Sequence, residues 1–212
     1  MTINGNRILC VIPARAGSRR IPGKNMKLFH GKPIIQYSIE AAKESGLFDR
    51  IIVSTDSHDA ADLAVELGVE YQWRLSFLAT DDVGTQQVGS TVTQMHQDRS
   101  REKFDLVCIL YATAPLISLL DLHAGLLMLL EHQELNFVYA AEETPGAGPL
   151  MHAGQFYWCR AKPLLLGEEL DGPTTGRIFI DQSRVCDINY PVDWAFAEAK
   201  YQTLLDREHA VL

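Results

Sequence analysis

Cysteine is scarce in this chain of 212 residues: there are four, and none of Cys10, Cys108, Cys159 and Cys186 falls at a Cys-x-x-Cys spacing. A cysteine-based metal frame is therefore not expected. Cys10, Cys108 and Cys159 lie in or at the edge of apolar, strand-like runs, which reads as buried structural thiols in a reducing, cytoplasmic compartment. Positive charge is also short. Lys and Arg total 19 against 27 Asp and Glu, a net charge of −8, which argues against bulk nucleic-acid or anionic-membrane binding. Long apolar runs are missing too. The longest greasy stretch, Leu116 to Leu130, is broken by Ser118, Asp121 and His123, so no membrane span is expected. No apolar signal core precedes Arg7, so no leader is expected. The seven histidines show no metal-ligand spacing.

What remains has the composition of a globular protein, 47% apolar and 22% charged. The length suits a single domain over residues 1–212. Strand-like and helix-like patterns alternate. Arg7 to Ala14 is a short apolar run that predicts a buried strand. Pro33 to Ser45 predicts a helix, with Ile35, Ile39 and Ala42 on one face and Gly46 as its stop. Arg50 to Thr55 reads as a strand, and His58 to Leu67 as a helix ended by Gly68. Leu106 to Tyr111 is a third clear strand, followed by a helix from Ser118 to Glu131 and a strand from Phe137 to Ala141. Phe156 to Arg160 and Arg184 to Ile188 are further strand candidates. A closing helix carries Trp194, Ala197, Tyr201 and Leu204 on one stripe, read as core. This alternation predicts an α/β fold with a mostly parallel sheet and helices on both faces. In such a sheet the ligand site lies beyond the carboxyl ends of the strands.

The loop after the first strand is the most informative segment. Arg15, Arg19, Arg20, Lys24 and Lys27 crowd five cations into an otherwise acidic chain. Gly17 and Gly23 let backbone amides approach a ligand, and Pro13 and Pro22 stiffen the ends. Concentrated positive charge with free amides at a strand's end suits a polyphosphate, although a solvated basic loop would look the same. The spacing matches neither the P-loop nor the Gly-x-Gly-x-x-Gly dinucleotide pattern.

Ile12 to Asn25 (IPARAGSRRIPGKN) resembles the nucleotide-binding signature of the CMP-sialic acid synthetases, the acylneuraminate cytidylyltransferases. Lys27–Pro33 (KLFHGKP), Tyr37–Ala42 (YSIEAA), Ser45–Asp49 (SGLFD) and Ile52–Asp56 (IVSTD) extend the likeness. Tyr111–Leu116 (YATAPL) and Ala153–Trp158 (AGQFYW) resemble the pseudaminic acid cytidylyltransferase branch of that family. Asp187–Trp194 (DINYPVDW) is similar to the family's closing metal-site motif. The likeness spans the chain from Ile8 to about Tyr201.

The resemblance implies a Rossmann-like nucleotidyltransferase fold, a homodimer, a need for Mg²⁺, and CTP and a nine-carbon acidic sugar as substrates. The anomeric hydroxyl of the sugar would attack the α-phosphate of CTP and release pyrophosphate. Pseudaminic acid is the sugar the branch motifs favour. N-acetylneuraminic or legionaminic acid is the alternative within the enzyme class, and a CTP-binding protein that has lost catalysis is the alternative outside it. By resemblance, Arg15 and Lys24 hold phosphates and join Asp187 as the catalytic set. Ser18 and Arg19 line the cradle, and Asn25, Arg74 and Thr85 surround the base. Thr113, Pro115 and Gln155 face the sugar, and Asp187 with Asn189 ligates Mg²⁺.

Plainer roles stand beside these. Arg74 follows Trp73, a ring on which it could stack. Thr113 and Pro115 suit an ordinary turn, and Gln155 a packed strand. Asp187 or Asn189 could cap the last helix, with Pro191 just inside it. Two departures from the family's pattern are visible. Glu142 to Met151 is shorter than the excursion implied there, through either a trimmed pocket or an omitted segment. His152 stands where the branch implies a pocket carboxylate.

Overall fold

The first strand, β1 (Ile8–Ala14), sends its side chains alternately into two apolar layers. Ile8, Cys10 and Ile12 enter one, and Leu9 and Val11 the other. The computed structural model of the protein describes residues 3–80, 82–142 and 151–210. Beyond β1 a long loop leads to a small antiparallel hairpin, β2 (Leu28–Phe29) and β3 (Lys32–Pro33). The helix α1 (Ile34–Ser45) starts after Pro33 and stops at Gly46, which takes the left-handed φ of 65° that glycine tolerates. There follow β4 (Arg50–Thr55), α2 (His58–Glu66), β5 (Glu70–Trp73) and α3 (Thr85–Ser100). Next are β6 (Leu106–Leu110), α4 (Leu119–Glu131), β7 (Phe137–Glu142) and β8 (Met151–Arg160). Last come α5 (Ala161–Leu165), β9 (Thr175–Ile180) and α6 (Pro191–Ala210).

Seven strands form one sheet in the order β5-β4-β1-β6-β8-β7-β9. All of them run parallel except β8, which is antiparallel to both of its neighbours. One face is covered by α1, α2 and α4 through Ile35, Ile39, Ala64, Leu122 and Leu126. On the other face α3 and α5 contribute Val88, Val92 and Leu164. A third cluster, including Phe29, Tyr37, Ile188 and Trp194, joins the hairpin and α1 to α6. Cys10, Cys108 and Cys159 are fully buried free thiols, as their apolar surroundings predict. Among the described residues no helix is long and apolar enough to cross a membrane.

Three features depart from the sequence reading. The helix α3 was not anticipated, because its sequence (TQQVGSTVTQMHQDRS) is polar and buries only Val88, Gly89, Val92 and Thr93. It packs so closely that a Cβ on Gly89 would lie 2.2 Å from Ile109 Cδ1. The short strands β5 and β9 lack a strong period-two signal. Arg184 to Ile188, expected to be a strand, is irregular. Val185 and Ile188 are buried there, which explains the apolar run, but the segment joins no sheet. Residues 143–150, which include most of the shortened excursion, lie outside the described residues.

Candidate active site

The carboxyl ends of β1 and β4 are stitched together before any ligand is considered. The Thr55 hydroxyl donates to Ala14 O at 2.6 Å and accepts from the Ser57 amide at 3.0 Å. Asp56 Oδ1 accepts from the Ala16 amide at 2.7 Å, tying the first loop to β4. Asn25 Nδ2 donates to Arg15 O at 2.9 Å, so the loop is closed on itself. Gly23, at φ 63°, opens the 3-10 turn that carries Lys24 and Asn25.

A cavity of about 420 Å³ opens above this platform, a volume in the usual range of small-molecule sites. Arg15, Ser18, Arg19, Lys24, Asn25, Arg74, Thr85, Thr113 and Asn189, all anticipated from sequence, line it. Arg20 and Tyr111, not singled out as site residues, line it as well. Both carried a signal, Arg20 in the cation cluster and Tyr111 at a strand's end. Five cations thus face one cavity whose described lining includes no carboxylate. Lys27 does not line it; its ammonium lies 4.2 Å from the centre of the Trp194 ring.

Burial controls the electrostatics. It lowers the Lys24 pKa, Asp187 pulls it back up, and Arg20 and Arg15 oppose the charge. Arg74 is only 5% exposed, and burial lowers its guanidinium to about 10, against the favourable charge of Asp56. Its Nη2 donates to Ser54 O at 2.9 Å, while Nε has no partner among the described residues. Arg74 therefore does not spend its guanidinium on Trp73, whose ring packs at 4.8 Å on His58. Burial raises the pKa of the Tyr111 phenol, with Asp187 raising it further against a hydrogen bond with Thr85. The Tyr157 hydroxyl donates to Thr85 Oγ1 at 3.3 Å, so Thr85 is held at the start of α3.

Three anticipated residues fall outside the cavity lining. Pro115 is buried in the turn after β6, where the chain must be compact to reach α4. Gln155 is 1% exposed and donates Nε2 to Arg184 O at 2.7 Å, so its amide is used inside the fold. Its Oε1 is buried without a partner among the described residues. Asp187 is exposed, and its Oδ2 accepts from Asn189 Nδ2 at 2.6 Å. It does not follow a strand but rests on a bulge of β8. Gly154, at φ 67°, touches it so closely that a Cβ there would lie 3.0 Å from Asp187 Cα. Neither Asp187 nor Asn189 caps α6 with its side chain. Asp193 Oδ2 does so, accepting from the amides of Asn189 and Tyr190 at 2.8 and 2.7 Å. His152 is likewise not in the cavity lining; it stacks on Tyr139 at 3.8 Å and approaches Asp171 at 3.3 Å.

A metal would find a carboxylate here, that of Asp187, rather than a cage. Among the described residues no group of three or more His, Cys, Asp and Glu is arranged to hold a cation. Asp187, exposed and electrostatically coupled to Lys24 beside the cation-lined cavity, fits a hard cation whose other ligands are phosphate oxygens and water.

Known proteins share both the sequence and the fold. The chain is 31% identical to pseudaminic acid cytidylyltransferase of Campylobacter jejuni, over 92% of this chain and 96% of that one. It is 46% identical to CMP-N,N'-diacetyllegionaminic acid synthase of Legionella pneumophila, over 51% of this chain and 47% of that one. The solved structure of CMP:2-keto-3-deoxy-manno-octonic acid synthetase in complex with CTP superposes with a TM-score of 0.71 at 18% identity, covering 95% of this chain and 99% of that chain. A 4-diphosphocytidyl-2C-methyl-D-erythritol synthase from Anaerococcus prevotii shares the fold at a TM-score of 0.67 and 14% identity, over 94% and 98% of the two chains. Residues 9–149 match the family described as Cytidylyltransferase, and the chain belongs to that family.

Proposed function

We propose that this cytidylyltransferase moves CMP from CTP to the anomeric hydroxyl of a nine-carbon acidic sugar, pseudaminic acid, and releases pyrophosphate. The observation that carries the reading is the cavity at the sheet's carboxyl edge, lined by five cations and no described carboxylate. The likeness over nearly the whole chain to a pseudaminic acid cytidylyltransferase supports the choice of sugar.

The chemistry is in-line displacement on a highly anionic substrate, so holding and neutralising charge are the main tasks. Arg15 and Lys24 grip the triphosphate, with Arg19, Arg20 and Ser18 completing the cradle. Asn25, Arg74 and Thr85 take the base. Thr113, at the end of β6, faces the incoming sugar. As the α-phosphorus is attacked, Lys24 and Arg15 stabilise the charge that grows on the leaving pyrophosphate. Asp187, with Asn189 as a neutral neighbour, would hold Mg²⁺. When bound, the cation would neutralise phosphate charge in addition to what the side-chain cations supply. The enzyme works as a homodimer in the cytoplasm, where its buried thiols stay reduced.

Pyrophosphate release from CTP with pseudaminic, legionaminic and N-acetylneuraminic acids tests the reading. Turnover with pseudaminic acid is expected, and preference for another of the three would reassign the sugar. Binding of CTP with turnover of no sugar would favour a binding protein. Light scattering at about twice 23.7 kDa is expected for the dimer.

A further inference from the structure

The segment that carries Asp187 has an unusual means of support. Residues 181–190 form neither helix nor strand, so their carbonyls gain no ladder bonds. Four of them accept instead from side chains of other elements. Lys200 Nζ, on α6, donates to Gln182 O at 2.7 Å and to Val185 O at 2.6 Å. Gln155 Nε2, on β8, donates to Arg184 O at 2.7 Å. Lys24 Nζ donates to Ile188 O at 2.6 Å. An ammonium has three donors, which lets one lysine bridge two carbonyls. Gly154 supplies the floor, leaving no room for a side chain beneath Asp187.

We infer that Lys200 and Gln155 are positioning residues for the transfer reaction, holding the Asp187 segment as a strap against the cation-lined cavity. The inference rests on the catalytic place of Asp187 proposed above. Neither residue lines the cavity, so neither is offered as a contact to nucleotide or sugar. Their geometry matters because Lys24 is shared: it faces the cavity and also grips the strap at Ile188. The segment is also anchored by the ion pair of Arg184 with Asp121 and by buried Val185 and Ile188, and Lys200 and Gln155 add bonds at Gln182, Arg184 and Val185 that do not depend on Lys24. These bonds hold the Asp187 segment steady when Lys24 also takes up a phosphate.

The test uses Lys200→Met, which keeps the apolar stem and removes the donors, Lys200→Arg, which restores donors, and Gln155→Leu. Asp187→Asn serves as the reference. Lys200→Met and Gln155→Leu should lower kcat roughly ten- to a hundredfold, the scale of an ångström-level misplacement. Both should raise the Mg²⁺ concentration for half-maximal rate and leave the calorimetric CTP affinity without Mg²⁺ unchanged. Lys200→Arg should recover most of the rate. Amide exchange at residues 182–189 should quicken in Lys200→Met with no quickening in β1 or β6. Unchanged exchange in that segment overturns the strap. Faster exchange with normal kcat and Mg²⁺ dependence overturns its role in the reaction. A parallel loss of CTP affinity would mean general loosening and would also overturn it. If Asp187→Asn keeps near-normal turnover, the proposed role of Asp187 fails, while the exchange result still decides whether Lys200 holds the segment.

Discussion

Replacing Arg74 by Met separates a functional arginine from a structural one. Arg74 is 5% exposed, and its guanidinium makes one bond to Ser54 O and leaves Nε without a partner among the described residues. Burial lowers its pKa to about 10. It stays protonated at neutral pH, so the folded protein bears the whole cost of the buried charge there. That cost shrinks only as the pH rises above about 10. A depression of this size corresponds to roughly 3 kcal/mol. Against it stands the charge-assisted bond to Ser54, about 1.5–3 kcal/mol. Met fills much of the same space and keeps the backbone bond from the residue 74 amide to Thr55 O. Without nucleotide the variant should therefore be as stable as the parent or up to about 1.5 kcal/mol more stable. In a chain of this size that is a rise in Tm of up to ~6 °C. With nucleotide the order reverses. Losing a charge-assisted contact to the base should weaken CTP binding about ten- to a hundredfold. Thermal unfolding with and without saturating CTP, together with calorimetry, reads both effects. A clear drop in Tm without CTP, or an unchanged CTP affinity, would mean that Arg74 is a structural bond and that the base lies elsewhere.

Arg15→Ala and Lys24→Ala should each weaken CTP binding about ten- to a hundredfold by calorimetry, since each removes a cation from the cavity. Because burial depresses Lys24, its cation is lost at a lower pH than an ordinary lysine's. CTP affinity should fall as pH rises on that alkaline limb, and Lys24→Arg should abolish the limb. Asp187→Asn should lose most turnover while CTP binding partly survives, and Asn189→Asp should lower the Mg²⁺ needed for half-maximal rate, both read by pyrophosphate release. Gly154→Ala should cost at least about 1 kcal/mol from the left-handed backbone alone and depress kcat by displacing Asp187, as urea unfolding and steady-state rates would report.

Much of this protein is legible without coordinates. The order of the main strands and helices follows from patterns that local chemistry enforces. Ile8 to Ile12 alternate between two buried layers, Gly46 ends a helix and Ser118 begins one. The cation cluster from Arg15 to Lys24 was equally visible, because a strand-end loop carries its ligand-facing residues close together in sequence. Other features needed the tertiary structure, because their causes are distant in the chain. α3 is a helix despite its polar sequence since Gly89 allows it to lie against Ile109. Arg184 to Ile188 looks like a strand because Val185 and Ile188 are buried, but it pairs with no strand among the described residues, and Gln155, Lys200 and Lys24 donate to the carbonyls of Arg184, Val185 and Ile188 instead. Gln155 and Pro115 sit within recognisable motifs, but their place in the fold, which sequence spacing does not report, leaves both out of the cavity lining, Gln155 with its amide turned to Arg184 O. The burial of Arg74 beneath the cavity, 59 positions after Arg15, is likewise decided only where β4 ends beside β1.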